Sequence, residues 1–382
     1  MSSFGVLRKD VIKKGLCTGC GTCIGVCPAN ALEFDEEFEE PRIRGKCLPD
    51  CNICYDVCPG KDIPLPALER RKFGRERSSN EEMAGISQSY RKGYALDPQI
   101  RQAGASGGCI TALLVYALEH GIIDSAVVTA MSAERPWKVE PRIATTRPEI
   151  IQSARSKYAV FPHNKIFREI MERGFSKVGF VGLPCHIHAI EKMRLKNILP
   201  DLTDKIRLVL GLVCGYNCSF KATEYMVREW AGIDPIDKVT WLEYRGGEEK
   251  SQGVVKTKDE TVLVAKMNWY YGCMFPFGRD RCMMCYDFGS ELADVSVGDR
   301  APRGERDIGW SHLAARSDEG TKLIEDAERE GYIKTFPVEQ EDFLKNFGFG
   351  VKKRGGQSKF TDRRRFGWPT PDYGVASQKG VR

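Results

Sequence analysis

Cys17, Cys20, Cys23 and Cys27 read C-x2-C-x2-C-x3-C before Pro28, and Cys47, Cys51, Cys54 and Cys58 read C-x3-C-x2-C-x3-C before Pro59. Three closely spaced thiolates reach three corners of an iron–sulfur cube, and a fourth cysteine standing before proline reaches the neighbouring cube. The spacing therefore predicts two [4Fe–4S] clusters with crossed ligands. Cys17, Cys20, Cys23 and Cys58 would hold one; Cys47, Cys51, Cys54 and Cys27 would hold the other. Gly19, Gly21 and Gly25 let the backbone wrap closely around such a group. A zinc ribbon is the rival reading, but zinc draws two cysteines from each short motif, not four ending in proline.

Four more cysteines stand at expected strand ends or in loops: Cys185 in GLPCH, Cys214 in GLVCG, and Cys282 and Cys285 in CMMC. Segments that end at one rim of a sheet can assemble a metal site there. Gly107 and Gly108 precede a strongly apolar helical stretch. Free N–H groups at a helix start suit a cofactor phosphate, although a Gly-Gly pair before a helix is also an ordinary turn.

The elements that must position these groups follow from length and pattern. At 382 residues, with 42% apolar and 29% charged, the chain has room for two or three domains and the composition of a globular protein. The longest apolar run, residues 109–118, is too short to span a bilayer, and residues 1–10 lack the apolar stretch of a signal peptide. Fifteen cysteines, an odd number, in close multiple spacing point to reduced, metal-holding thiolates in the cytoplasm and not to disulfides. Residues 351–382 carry nine Lys or Arg against Asp362 and Asp372, so the remaining chain is near neutral. Basic charge is not spread over a folded face with interleaved aromatics, which argues against a nucleic-acid partner.

The expected fold class is mixed α+β and α/β: a small two-[4Fe–4S] ferredoxin-like domain, then a larger mixed sheet flanked by helices. The boundaries are 1–65 for the ferredoxin domain, 66–92 for a charged linker, 93–345 for the larger domain and 346–382 for a basic tail. The acidic run 33–40 reads as a solvated loop. Helices are expected over 109–120, 161–173, 186–196 and 219–231, and strands over 125–130, 177–182, 206–213 and 238–244. Residues 253–266 read as a hairpin added to that sheet.

The first motif and its partner resemble those of bacterial two-cluster ferredoxins, with one residue more between Cys47 and Cys51. The larger domain resembles the coenzyme F420 hydrogenase/dehydrogenase beta-subunit family. The resemblance rests on GGCITALLVYALEHG (107–121), SKY (156–158), VGFVGLPCHIHAI (178–190), GLVC (211–214), CMMCYDFGSELADVSVGD (282–299) and WPTPDY (368–373), in the family's order over about residues 93–373. With the ferredoxin domain, the architecture is similar to the electron-input subunit of archaeal F420 dehydrogenases.

The resemblance implies FAD, one further [4Fe–4S] cluster and coenzyme F420 as substrate. It assigns the third cluster to Cys185, Cys214, Cys282 and Cys285, with Cys218 and Cys273 as nearby thiols. It puts the FAD phosphates on Gly107, Gly108 and Thr111, closes Ser156, Lys157 and Tyr158 over the cofactor, and sets Asp299 near the flavin. His186 and His188 flank the cluster loop, either to influence the flavin or as structural residues, and 301–308 is more charged than the family's short turn. The implied activity oxidises or reduces F420 by hydride transfer to FAD and passes single electrons through three clusters. No catalytic acid is named. The chain shows no nickel or siroheme motif, so a redox partner protein or complex subunit, of ferredoxin, hydrogenase, dehydrogenase or heterodisulfide reductase type, must take the electrons. That partner would also set whether the chain sits free in the cytoplasm or at the inner membrane face. The alternatives are a ferredoxin-dependent reductase of another conjugated substrate, such as a chlorophyll derivative, and a non-catalytic electron-transfer subunit.

Overall fold

The computed structural model describes every residue except 1, 248–249, 267, 269–275, 301–308, 347–348 and 375–382. Near the N-terminus, β1 (Leu32–Asp35) and β2 (Glu40–Ile43) form an antiparallel hairpin with Leu32 opposite Ile43. Next come β3 (Ser89–Ala95), β4 (Ser125–Met131), β5 (Val139–Ala144), β6 (Val178–Gly182) and β7 (Ile206–Leu212). Then follow β8 (Trp241–Gly246), β9 (Gln252–Lys256), β10 (Thr261–Val264), β11 (Val295–Arg300), β12 (Trp310–Ala315) and β13 (Ile333–Pro337).

The main sheet has the order β13-β3-β12-β11-β7-β6-β4-β5. Its centre, β11, β7, β6 and β4, is parallel, and antiparallel strands complete both sides. Central parallel strands must be covered on both faces. On β6, Val178 and Phe180 enter one apolar cluster and Val181 the other. One face is covered by the helices Cys109–Glu119, Arg147–Gln152 and Asp318–Arg329; the other by Leu65–Phe73, Phe167–Glu172 and Pro184–Leu195. Eight of the eleven residues of Cys109–Glu119 are buried, which is why that stretch reads as apolar all round.

Three expectations are corrected or refined by the structure. The hairpin 253–266 forms, as β9 and β10, but it does not join the main sheet: β9 pairs on its other edge with β8 in a separate three-stranded sheet. Residues 66–92, whose charge suits a solvated linker or a surface helix crossing between domains, take the helical course and are built into the fold. They hold the helix Leu65–Phe73 and the start of β3, and their charges meet buried acids: Lys72 Nζ lies 2.8 Å from Asp294, and Arg77 bridges Glu69 at 2.6 Å and Glu291 at 2.7 Å. The basic tail is also folded. The helix Phe349–Arg365 buries Lys353 completely, its ammonium 2.6 Å from Glu291, and Arg363 and Arg364 turn back onto Pro369 and Thr370. Lys379 and Arg382 lie outside the described residues.

The ferredoxin-like region has a small core of its own, built from Phe4, Leu7, Val11, Ile12, Leu16 and Leu32 with the cysteines packed against it, and shares a second cluster with the sheet domain. Val26, Val57 and Ile63 sit in one cluster with Phe167, Phe180 and Ile187 of the sheet domain. The segment around Asp372 closes the junction, where Ile63 N–H donates to the Asp372 carbonyl at 2.5 Å.

Candidate functional site

Two short helices, Thr22–Gly25 and Ile53–Asp56, carry the first two cysteine motifs around tight turns. Gly21 adopts φ +79°, and a Cβ there would stand 2.6 Å from Pro162, so only glycine permits both the turn and the approach of the sheet domain. Burial, and then the charges of Cys20, Cys17, Cys58 and Cys54, push the Cys23 thiol well above its usual range. Burial pushes Cys58 up to about 12, with Cys20 and Cys17 adding and Lys192 opposing. Burial pushes Cys54 up to about 11, opposed by a hydrogen bond from Ser3 and reinforced by Cys51, Cys27 and Cys47. Cys58 thus lies within electrostatic reach of Cys17, Cys20 and Cys23, and Cys54 within reach of Cys27, Cys47 and Cys51. Eight thiols so close in the chain, Cys20 and Cys54 buried and the other six half-buried, without disulfides, fit a soft metal that displaces the protons and keeps the thiolates.

The second gathering lies where β6 and β7 end. Cys185 opens the helix Pro184–Leu195 just past β6, Cys214 follows β7, and Cys282 and Cys285 flank the end of the turn Asp280–Met284. Burial raises Cys185 well above the usual thiol range, followed by the charges of Cys20, Cys282, Cys214 and Cys285. Burial also raises Cys285, against the opposing charge of Arg281. Lys352 donates to the Cys282 carbonyl at 3.1 Å. These four donors suit the same chemistry as the first eight.

Cys218 is buried in the apolar cluster with Phe161 and Phe220, Cys109 is buried within its helix, and Cys273 lies outside the described residues. His186 accepts from Leu183 N–H at 3.1 Å, and His188 bonds Asp287 at 2.8 Å. Spacing along one helix contains a signal that the cysteine motifs alone do not reveal: Cys185, His188 and Lys192 follow at i, i+3 and i+7, and Lys192 reaches the Cys58 carbonyl at 2.6 Å.

The residues expected at FAD fall into two groups. Gly107 and Gly108 start the helix Cys109–Glu119 with Thr111 buried in its first turn, but the space beside Gly107 is filled by the protein itself. A Cβ there would meet Gly93 O and Ser311 N at 2.6 Å. Lys157 is not an open cation: its ammonium is directed at the carbonyls of Ser153, Ala154 and Arg155, and burial pushes its pKa down to about 7. Tyr158 stands edge-on to Tyr244, with Ser156 half-buried two residues before it. Asp299, on β11 opposite Ser311, pairs with Arg245, which also contacts Tyr158.

Around these loops collects a cationic group that sequence spacing does not reveal. Lys250 donates to the carbonyls of Arg101 at 2.7 Å and Gly104 at 2.8 Å. Burial, then Arg155, Arg101 and Arg245, push its pKa down to about 8. Arg155 pairs with Glu243. Arg101, Arg155, Arg245 and Lys250 therefore lie near one another, with Arg155 paired to Glu243 and Arg245 to Asp299, a concentration of positive charge that fits a phosphate-bearing cofactor. A cavity of about 760 Å³ lies elsewhere, between the β1–β2 hairpin and the β5 edge, and includes none of the seven expected cofactor residues.

Comparison with known proteins agrees with this architecture. Two family models of the coenzyme F420 hydrogenase/dehydrogenase beta subunit match the chain, the N-terminal one over residues 90–168 and the C-terminal one over 175–341. Residues 10–33 match the 4Fe-4S binding domain. The coenzyme F420-dependent sulfite reductase of Methanocaldococcus jannaschii is 28% identical over 96% of the chain, which spans 54% of that protein's length. The coenzyme F420 hydrogenase subunit beta of Methanothermobacter thermautotrophicus is 30% identical over 72% of the chain and 94% of its own. A chain from the F420-reducing [NiFe] hydrogenase complex of Methanosarcina barkeri superposes with a TM-score of 0.61 at 27% identity, covering 78% of this chain and 97% of that one. By the two family models, which together span most of residues 90–341, and by its 30% identity to the hydrogenase beta subunit, the chain belongs to the coenzyme F420 hydrogenase/dehydrogenase beta-subunit family.

Proposed function

We propose that the chain is an iron–sulfur flavoprotein that exchanges a hydride with coenzyme F420 at FAD and conducts single electrons through three [4Fe–4S] clusters to or from a partner protein. The observation that carries this reading is the contiguity of the cysteine groups. Cys20 of the ferredoxin-like region neighbours Cys185 of the inner group, and Cys23 neighbours Cys54 of the outer group. A flavin supplies conversion between two-electron and one-electron chemistry when bound.

The chain's own residues would do the rest. The twelve cysteines hold the clusters. Gly107, Gly108 and Thr111 form the wall of the cofactor site, with Ser156 and Tyr158 across it. Arg245 and Lys250, held by Asp299 and by the 101–104 carbonyls, supply positive charge toward a phosphate. Lys157 fixes the 153–155 turn. The partner is a redox protein or a subunit of a larger complex, in keeping with relatives that belong to F420-linked hydrogenases. No helix among the described residues is long and apolar enough to cross a membrane.

The test is anaerobic purification, metal and flavin analysis, and mixing with reduced F420. The expected result is about twelve irons per chain, from three four-iron cubes, one FAD and reduction of both chromophores. Iron without flavin, and no reaction, would leave an electron carrier; a colourless zinc protein would end the iron–sulfur reading.

A further inference from the structure

The seam between the ferredoxin-like region and the sheet domain is polar at one buried point. Asn164 is wholly buried. Its backbone N–H donates to the Cys20 carbonyl at 2.8 Å, and its side-chain Nδ2 donates to Thr22 Oγ1 at 2.9 Å and to the His186 carbonyl at 3.1 Å. Thr22 Oγ1 lies 3.2 Å from Cys20 Sγ. Thr22 and His186 are buried as well.

The direction of this chain follows from chemistry. A cysteine that ligates iron is a thiolate without a proton, so its sulfur only accepts. The Thr22 O–H must then donate to Cys20 Sγ, leaving an oxygen lone pair for Asn164. Both amide N–H groups are used, one on each side of the seam. Turning the amide over would set Oδ1 against the His186 carbonyl, acceptor to acceptor, so the network allows a single orientation. That orientation leaves Asn164 Oδ1 buried without a partner. A buried acceptor left unpaired is costly, and calls for a compensating gain.

We propose that Asn164 is the positioning residue of an electron crossing point between the inner group (Cys185, Cys214, Cys282, Cys285) and the ferredoxin-side group (Cys17, Cys20, Cys23, Cys58). It acts through Thr22 on the Cys20 sulfur and directly on the residue after Cys185. The proposal rests on the three-cluster reading above. One electron crosses at a time: the inner cluster is oxidised by one and the ferredoxin-side cluster reduced by one. No ligand bond forms or breaks, and Thr22 and Asn164 keep their protons. A hydrogen bond onto the sulfur stabilises the more negative, reduced cluster, so it favours the electron on the ferredoxin side.

Two substitutions at Thr22 separate hydrogen bonding from packing: Thr22→Val keeps the shape and loses the hydroxyl, whereas Thr22→Ser keeps the hydroxyl and loses the methyl. The full chain is loaded anaerobically with iron and sulfide, its iron measured, and its clusters titrated with dithionite while followed by electron paramagnetic resonance. Rapid freezing then follows the crossing after the inner cluster is reduced. Thr22→Val and Asn164→Leu should each move the potential of the Cys20-bound cluster to more negative values and slow the crossing several-fold. Thr22→Ser should match the parent, and the double variant should be no worse than either single one, because the two residues act as one chain. An effect in Thr22→Ser but not Thr22→Val would overturn the proposal in favour of packing. So would unchanged potential and crossing rate in an iron-replete Thr22→Val, whether or not Asn164→Leu loads its clusters. Failure of the parent chain to show iron–sulfur signals would overturn the three-cluster reading instead.

Discussion

Lys192, buried in the helix that Cys185 opens, donates its ammonium to the carbonyl of Cys58 at 2.6 Å. It also holds the Asp62 carbonyl at 2.8 Å and pairs with the Asp62 carboxylate. A cation beside a cluster ligand stabilises the more negative, reduced state. On the proposed three-cluster reading, Lys192→Met should therefore move the potential of the cluster assigned to Cys58 to more negative values. Orphaning two carbonyls should also cost about 1–3 kcal/mol of apparent stability. Redox titration at low and high salt checks the first point, since a buried charge escapes screening. A potential equal to the parent's would show that Asp62 cancels the charge.

Adjacent glycines in the C-terminal helix should respond oppositely. Around Gly355 a Cβ meets nothing within 4 Å, whereas at Gly356 it would stand 2.8 Å from the Cys285 carbonyl. Gly355→Ala should stabilise by up to about 1 kcal/mol, the gain of alanine over glycine in a helix. Gly356→Ala should lower the melting temperature and the occupancy of the inner cluster despite the same propensity gain. Thermal unfolding and iron content of the two variants, measured side by side, decide it.

Acid should destabilise the fold through His163. Burial pushes its pKa down to about 4 from an ordinary 6.5, with a hydrogen bond to the Val181 carbonyl opposing, and its ring stacks on His186 at 4.7 Å. The folded state keeps the ring neutral while the unfolded chain takes up a proton below its ordinary pKa, so stability is full above 6.5 and falls toward pH 4. The loss from this group is of order 3 kcal/mol. Melting temperature against pH should flatten over this window in His163→Gln, and an equally steep profile would assign the acid sensitivity elsewhere.

Arg245 sits between Tyr158 and Asp299 in the cationic group facing the 104–108 loop. On the proposed flavoprotein reading, replacing it by Gln should reduce the FAD retained per chain while leaving iron content unchanged. Flavin fluorescence after acid release measures this. Full flavin retention would move the phosphate site away from these residues.

The parts legible in the sequence are those whose information is local. The first cysteine motif identifies a 4Fe-4S binding domain because a short loop must wrap a compact group. Likewise, the run 109–119 is apolar on every side because helices and sheet enclose it. What escaped reading is specified by distant partners. Lys72 looks like a solvated charge until Asp294, 222 residues away, is folded against it. Lys353 and Arg77 likewise make sense only around Glu291. The separate sheet of β8, β9 and β10 has the same strand pattern that the main sheet would require, so periodicity could not tell them apart. Asn164 is a lone polar residue beside a histidine, and nothing in its neighbours along the chain marks it as a bridge. At Lys157, motif resemblance suggested a cofactor contact, whereas the ammonium is occupied by the carbonyls of its own turn.

The bond from Ile63 to Asp372 bears on biosynthesis. The cysteine motifs of residues 17–58 leave the ribosome before the sheet domain, yet the apolar faces of Val26, Val57 and Ile63 find their cover only in strands and helices made later, and Tyr373 completes that cluster. Contacts of such sequence separation close late in folding. The cover over Val26, Val57 and Ile63 is therefore complete only once the segment that carries Tyr373 has been made, whereas the cluster of Phe4, Leu7, Val11, Leu16 and Leu32 beside the cysteines can close as soon as the first 60 residues emerge, so the N-terminal region acquires its local packing before its junction with the sheet domain.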